Sequence, residues 1–266
     1  MKPPVDSLQG KVALITGAAS GLGEATSRVL AASGAKAMLI DRNEEMLTRV
    51  ADEIAAAGGT VQAAKADVTS ATELAAAVER IKAAWGRLDI VVANAGINGV
   101  WAPLEEIEPE EWDTTLDVNL KGTFLTVRAC VPLLKQSGGG SVILMSSGMG
   151  VRMFSTSGAT AYSTSKAGQV AFGRMIALEL AKDKIRVNTV CPGAFATNIV
   201  HSTTFRNLRN LHLPVQFPEG QVPLTGGANG TPEQVANVVW FLASDLSNHV
   251  TGTEIVVDGG QSLLRA

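Results

Sequence analysis

Seven short apolar runs, alternating with longer stretches of helical periodicity, constrain the fold of this chain more than any other feature. VALIT (12–16) precedes a helical stretch at 24–33, and AMLID (37–41) precedes an amphipathic one at 44–57. TVQAA (60–64) leads to a helix around 72–84, and DIVVAN (89–94) to a long one around 112–136. SVILMSS (141–147) leads to 162–182, RVNTVC (186–191) to 232–244, and EIVV (254–257) closes the series. Runs that are apolar without polar alternation belong to strands buried on both faces, which means a parallel sheet covered by helices. Repeated strand–helix units with right-handed crossovers wind such a sheet in two directions. No repeat, linker or charge block divides the 266 residues. The chain is therefore expected to be a single α/β domain with a seven-stranded, mainly parallel, doubly wound sheet.

Composition removes several function classes. Hydrophobic residues make up 46% and charged residues 18%, so a packed core is expected and disorder is not. The net charge of −3 leaves no electrostatic footprint for nucleic acid, and no Lys/Arg run suggests an anionic membrane surface. No apolar stretch reads as membrane-spanning. The opening MKPPVDSLQGK lacks an apolar signal core, from which a cytoplasmic location is expected. Cys130 and Cys191 read as buried small hydrophobes, and His201, His212 and His249 are scattered. No metal site is expected.

The first strand runs into Thr16-Gly17-Ala18-Ala19-Ser20-Gly21-Leu22-Gly23, which opens a helix. Glycines there permit a tight turn and close approach of backbone to a pyrophosphate, and the helix N-terminus offers N–H groups and a positive dipole end. This is the entry to a Rossmann-type nucleotide site. The second strand ends at Asp41, placed to accept hydrogen bonds from adenosine ribose hydroxyls and to repel a 2′-phosphate. Asp41 could instead cap the helix at 44, and the adjacent Arg42 could pair with a 2′-phosphate. NAD is therefore expected over NADP. Asp67-Val68, ending the third strand, sits where an adenine amino group is met, although Asp67 could equally cap the next helix. Asn94-Ala95-Gly96 ends the fourth strand with small residues that let a cofactor lie across the sheet edge. Neither G-x-S-x-G nor G-x-x-x-x-G-K-[ST] is present, so serine-hydrolase and P-loop chemistry are excluded.

The chain has one tyrosine, Tyr162, four positions before Lys166. On a helix these share a face. A phenol titrates near ~10. A fixed ammonium at about 5 Å, with an effective dielectric of about 20, favours the phenolate by roughly 3 kcal/mol. On that arithmetic Lys166 lowers the Tyr162 pKa enough to make the phenol an acid/base group. Ser146 and Ser147 face opposite sides of their strand. Alternation alone leaves either Ser146 or Ser147 as the substrate-facing one.

One segment breaks the rhythm. Residues 194–229 mix Phe195, Phe205, Leu208, Leu211, Leu213 and Phe217 with basic and imidazole side chains, Pro and Gly. Following a strand's carboxyl end, the segment reads as a short helical flap over a ligand, or else as a loop serving oligomerisation.

Taken together, TGxxxGxG at Thr16–Gly23, Asn94-Ala95-Gly96, Ser147, Tyr162-x-x-x-Lys166 and Pro192-Gly193 resemble the short-chain dehydrogenase/reductase family, from about Lys11 to Gly260. Their order and spacing are very specific jointly, and the glycine spacing resembles the family's shorter oxidoreductase subgroup. The resemblance implies that Tyr162 exchanges a proton with the substrate oxygen and that Lys166 lowers its pKa and meets the nicotinamide ribose. It implies that Ser147 orients the same oxygen, that Asn119 holds a water linking Lys166 to solvent, and that Thr197 meets the carboxamide beside Pro192 and Gly193. The interval from Ser147 to Tyr162 is slightly longer than the family's commonest one, and the insert at 152–161 is expected to wall the substrate pocket. A homotetramer is implied by analogy. The expected activity is NAD(H)-dependent interconversion of a secondary alcohol and a ketone, with hydride transfer supplied by the cofactor. The alternatives are an NADPH-dependent reductase of 3-oxoacyl thioesters and a catalytically silent nucleotide-binding scaffold.

Overall fold

The computed structural model describes residues 7–211 and 222–264. Its elements follow the expected alternation: β1 (Val12–Thr16), α1 (Gly21–Ala32), β2 (Lys36–Asp41), α2 (Glu44–Ala56), β3 (Val61–Lys65), α3 (Ala71–Trp85) and β4 (Ile90–Ala93). A short β5 (Gly99–Trp101) precedes α4 (Pro109–Leu116) and α5 (Gly122–Gln136). Then come β6 (Gly140–Met145), α6 (Thr160–Ala181), β7 (Ile185–Pro192), a short β8 (Thr203–Phe205), α7 (Pro232–Ala243) and β9 (Glu254–Val257). Seven strands form one parallel sheet in the order β3-β2-β1-β4-β6-β7-β9. The chain winds outward from β1 through β2 to β3, then returns to β4 on β1's other side. The crevice outside the carboxyl ends of β1 and β4 is therefore the switch point at which such sheets bind ligands.

Strand periodicity divides the core into two layers. Val12, Leu14, Met38, Ile40, Val91 and Leu144 face one side, where Leu74, Ile81, Leu134 and Leu180 from α3, α5 and α6 cover them. Ala13, Ile15, Leu39, Val92 and Ile143 face the other, against Leu30, Leu47, Ile54, Val239 and Leu242 from α1, α2 and α7. The central strand β1 is buried at all five positions, as its unalternating sequence requires. Local chemistry sets the helix ends. The Asn43 side chain accepts from Met46 N–H and Ser70 from Glu73 N–H, while Gly86, at φ 72°, ends α3 in the left-handed region.

Two expectations are corrected. The helix expected over 112–136 is two α-helices joined by a π-turn at Asp117–Lys121, and it begins earlier, at Pro109, behind a Glu108/Glu111 capping box. Such a wide turn breaks the i→i+4 ladder and is typical of functional positions; Asn119 stands in it. The flap expected to be helical contains, among its described residues, only 3₁₀ turns (Asn198–Ser202, Leu208–Asn210, Pro223–Thr225) and β8. The β-branched Thr203 and Thr204 pair in parallel with β5 instead of coiling. His212, Leu213 and Phe217 lie outside the described residues.

Candidate active site

The cofactor end of the crevice is made of backbone. Gly17 has φ +67°, and a Cβ there would fall 2.8 Å from Ala95 Cα. A Cβ on Gly23 would fall 2.0 Å from Gly17 O, so the turn closes only with glycine at both positions. Ser20 is the N-cap of α1 without a side-chain cap bond, leaving the first N–H groups of the helix directed at the crevice that Ser20, Gly21 and Leu22 line. Asn94 ties β4 to this turn, its Nδ2 donating to Thr16 O (2.9 Å) and Gly17 O (3.3 Å). The N–H groups of Asn94 and Ala95 both donate to Thr16 Oγ1.

Asp41 does not cap α2, because Asn43 does. Its carboxylate accepts from Ala19 N–H (3.2 Å) and Asn43 N–H (2.9 Å), which holds it beside the glycine turn on the crevice wall, next to the exposed Arg42. Asp67 likewise leaves capping to Ser70; it accepts from Thr69 N–H and Oγ1–H, and these bonds hold its carboxyl below the usual range against the opposing effect of burial. Val68 packs under Gly122. Pro192 and Gly193 end β7 with Gly193 N–H donating to Val257 O, and Ala194 N–H donating to Gln261 Oε1 (2.8 Å). Gln261, absent from the sequence reading, thus fastens the turn on which the ring end of a cofactor would rest. Thr197 caps the next 3₁₀ turn and lies against Gly21.

The candidate reacting centre is where α6 meets β6. Tyr162, 8% exposed, faces the hydroxyl of Ser147. Lys166 Nζ lies 5.6 Å from the centre of the phenol ring and donates to Met145 O at 2.9 Å. The two serines separate as alternation requires. Ser146 Oγ donates to Lys166 O and pins α6 to the sheet, whereas Ser147 accepts from Met149 N–H and meets the tyrosine. Burial corrects the expected electrostatics. It pushes the Tyr162 phenol up, with the Ser147 hydroxyl opposing, and pulls Lys166 down to about 8. A fixed ammonium would only lower the phenol; inside the protein both groups lose water, and each is shifted towards its neutral form.

Asn119 is fully buried and clamps the loop after β4: Oδ1 accepts from Ile97 N–H (2.8 Å), while Nδ2 donates to Ile97 O and Ser165 Oγ. Gly96 passes directly over this group, since a Cβ there would lie 3.2 Å from Asn119 Oδ1 and 3.3 Å from Lys166 Nζ. Gln169, also missed, donates from Nε2 to Asn119 O (2.9 Å) and Thr123 Oγ1 (2.6 Å), bracing the π-turn. Its one visible signal is a polar residue three after Lys166 on the same buried face.

A cavity of about 580 Å³ joins these parts, running from Asp41 and Asp67 past Lys166 to Trp101, Met153 and Thr156. That size suits a cofactor together with a small substrate. The insert at 152–161 supplies Met153 and Thr156 to the wall. The β5/β8 pair contributes Trp101, whose signal in the sequence was too short to read.

A doubly wound sheet with a glycine-cradled nucleotide turn and a buried tyrosine–lysine pair at its switch point defines a nicotinamide-dependent oxidoreductase. The family model described as Enoyl-(Acyl carrier protein) reductase matches residues 17–262. A 3-oxoacyl-[acyl-carrier-protein] reductase of Thermotoga maritima is 38% identical over 95% of this chain and 98% of its own. A 2,5-dichloro-2,5-cyclohexadiene-1,4-diol dehydrogenase of Sphingobium indicum is also 38% identical, over 96% and 98%. The solved structure of a 3-ketoacyl-ACP reductase from Sinorhizobium meliloti superposes with a TM-score of 0.91 at 51% identity, covering 96% of this chain and 100% of that one. The chain belongs to the short-chain dehydrogenase/reductase family, and it is an oxidoreductase of CH–OH groups.

Proposed function

We propose that the protein interconverts a secondary alcohol and its ketone with NAD(H), and that Tyr162 exchanges the proton. The observation that carries this reading is the buried Tyr162 facing Ser147 at the switch-point crevice, with Lys166 Nζ 5.6 Å from its ring centre. The glycine cradle of Gly17, Gly21 and Gly23 fits a pyrophosphate, Asp41 fits ribose hydroxyls, and Asp67-Val68 fits adenine. Ala95, Gly96, Pro192, Gly193 and Thr197 border the nicotinamide end. When bound, the nicotinamide supplies the hydride acceptor or donor. Ser147 fixes the substrate oxygen beside the phenol. In oxidation, Tyr162 Oη acts as the phenolate and takes the hydroxyl proton; in reduction, the neutral phenol gives its proton to the carbonyl oxygen. Lys166 favours the ionised phenol whenever it is itself charged, and Asn119, which clamps the loop after β4 beside Lys166, holds the water that links Lys166 to solvent.

Tyr162→Phe tests the assignment. Turnover of secondary alcohols, followed at the nicotinamide absorbance, should drop by about 10³-fold or more while NAD affinity changes less than about twofold. A variant with most of its activity left sinks it. The preference for NAD rests on Asp41, held against the glycine turn where a 2′-phosphate would meet its carboxylate.

A second reading is favoured by the similarity to 3-oxoacyl reductases: an NADPH-dependent reductase of 3-oxoacyl thioesters. Comparing NADH with NADPH on an acetoacetyl thioester separates the two. A homotetramer is proposed from apolar side chains left on α5 and α6, with Phe124, Met175 and Leu178 at 45, 75 and 85% exposure. Light scattering at low concentration checks it, and a stable monomer refutes it. No helix among the described residues is long and apolar enough to cross a membrane, and a cytoplasmic location is proposed.

A further inference from the structure

The substrate end of the cavity has a chemistry that the oxidoreductase reading leaves open. Charged side chains line the described cavity at Asp41, Arg42, Asp67 and Lys166. The first three border the adenosine end, and Lys166 lies behind the Tyr162 ring, donating to Met145 O. The wall towards Tyr162 is instead uncharged: Trp101, Met149, Met153 and Ile199. The neutral polar side chains of Asn98, Thr156, Asn198 and Ser202 are interspersed among them. An anionic substrate would lose its water there and, among the described residues, find no cation nearer than Lys166 behind the phenol.

Trp101 is immobilised. Its ring centre is 6.5 Å from that of Tyr162 at 48°, and Phe205 packs edge-on against it at 5.7 Å and 88°. The indole Nε1 donates to Asn98 O at 3.2 Å. Asn98 is in turn held by Ser202 Oγ and Thr203 Oγ1 across the β5/β8 pair. On the other flank, Ala102 N–H donates to Gly158 O, and a Cβ on Gly158 would lie 3.0 Å from Trp101 C. Three segments distant in sequence thus hold one indole next to the proton-exchanging phenol. Met153 folds over Gly148 beside Ser147, where its Cε would meet a Cβ at 2.4 Å. A rigid aromatic plane gains most from a flat or cyclic partner, which stacks without freezing rotors, whereas thioethers adapt to the partner's thickness.

We propose that this pocket selects neutral, ring-bearing secondary alcohols and their ketones, with Trp101 as the surface on which the ring lies. The proposal rests on the alcohol/ketone reading above. The test is a panel matched in carbon number: 1-phenylethanol against 2-octanol, and cyclohexanol against 2-hexanol, each with NAD and with NADP. Methyl 3-hydroxybutyrate against 3-hydroxybutyrate probes charge. Wild type should favour the ring in kcat/KM by about five- to tenfold, and the ester over the acid by at least as much. Trp101→Ala should bring the ring-to-chain ratio near one through KM, and Trp101→Phe should keep most of it. Competition by acetophenone against 2-octanone, measured as inhibition constants, should lose its preference in the same variant. If wild type treats rings and chains alike, or the ratio survives in a Trp101→Ala protein of native circular dichroism, the ring proposal falls and the oxidoreductase reading stands. If no secondary alcohol is turned over with either cofactor, both fall.

Discussion

The two ends of the crevice are built on different principles. At the cofactor end the ligand surface is backbone: a glycine turn that no side chain could enter, helix N–H groups left uncapped, and carboxylates of Asp41 and Asp67 anchored by neighbouring amides. At the substrate end it is side chains, Trp101, Met149 and Met153, held by contacts between segments as far apart as Asn98 and Thr203. Backbone surfaces recognise what every nucleotide shares, whereas side-chain surfaces are replaced one residue at a time. On the proposed reading, the first end would serve the nucleotide and the second would set the choice of substrate. Tyr162 and Lys166 stand at the seam.

The largest expected effect lies at that seam and asks whether burial governs it. Lys166 is pulled from an ordinary 10.5 to about 8. Below pH 8 the ammonium is charged in both folded and unfolded chains, and burying it costs stability. Between about 8 and 10.5 the folded protein has lost the proton while the unfolded chain keeps it, so stability rises with pH across that window, by up to about 3 kcal/mol. Chemical denaturation of wild type and Lys166→Met at pH 7.5 and 10 isolates the effect, because Cys130, Cys191 and Tyr162 remain in both. The methionine variant should lose the rise. Parallel pH profiles would mean that Lys166 is solvated and that the sequence-level picture of a fixed charge acting on Tyr162 was right after all.

The contrast between the ends also explains what could be read from the chain. Strands such as VALIT and DIVVAN carry their own burial signal, so the sheet and its switch point follow from local pattern. Gly17 and Gly23 are visible because they recur within one short turn after a strand, and Asp41 because it ends a strand whose pattern is itself readable. Trp101 and Gln261 are not visible in this way: each acts through a partner roughly 60 to 100 positions away. Three-residue strands such as β5 and β8 have no periodicity to detect. The shift on Tyr162 was misread for a related reason, since spacing gives the neighbour but not the depth at which both groups are buried.

Asp41→Ala probes the cofactor end alone. Removing a carboxylate that would accept two ribose hydroxyls should weaken NAD by about 2 kcal/mol, or roughly thirtyfold, and narrow discrimination against NADP. Because Asp41 also holds Ala19 N–H, the Asp41→Asn variant, which keeps an acceptor there, should recover part of the NAD affinity. Fluorescence titration with each dinucleotide gives both constants. Unchanged affinities would move the NAD preference to some other group. A matching loss in KM for the alcohol would break the division between the two ends.

The smallest effect belongs to the substrate end. Thr203→Val keeps the shape and the β propensity of β8 but removes the hydroxyl that accepts from Asn98 Nδ2 at 2.8 Å. Asn98 is 8% exposed, so its amide would be left short of a partner at a cost of about 1 kcal/mol. That cost falls on the loop that carries Trp101 rather than on the reacting groups. KM for a ring-bearing alcohol should therefore rise about three- to fivefold, with kcat and the NAD dissociation constant held within twofold. A fall in kcat with KM unchanged would show that the β5/β8 latch positions Tyr162 itself. The two ends would then be one mechanical unit, and the substrate wall could not be altered without altering the chemistry.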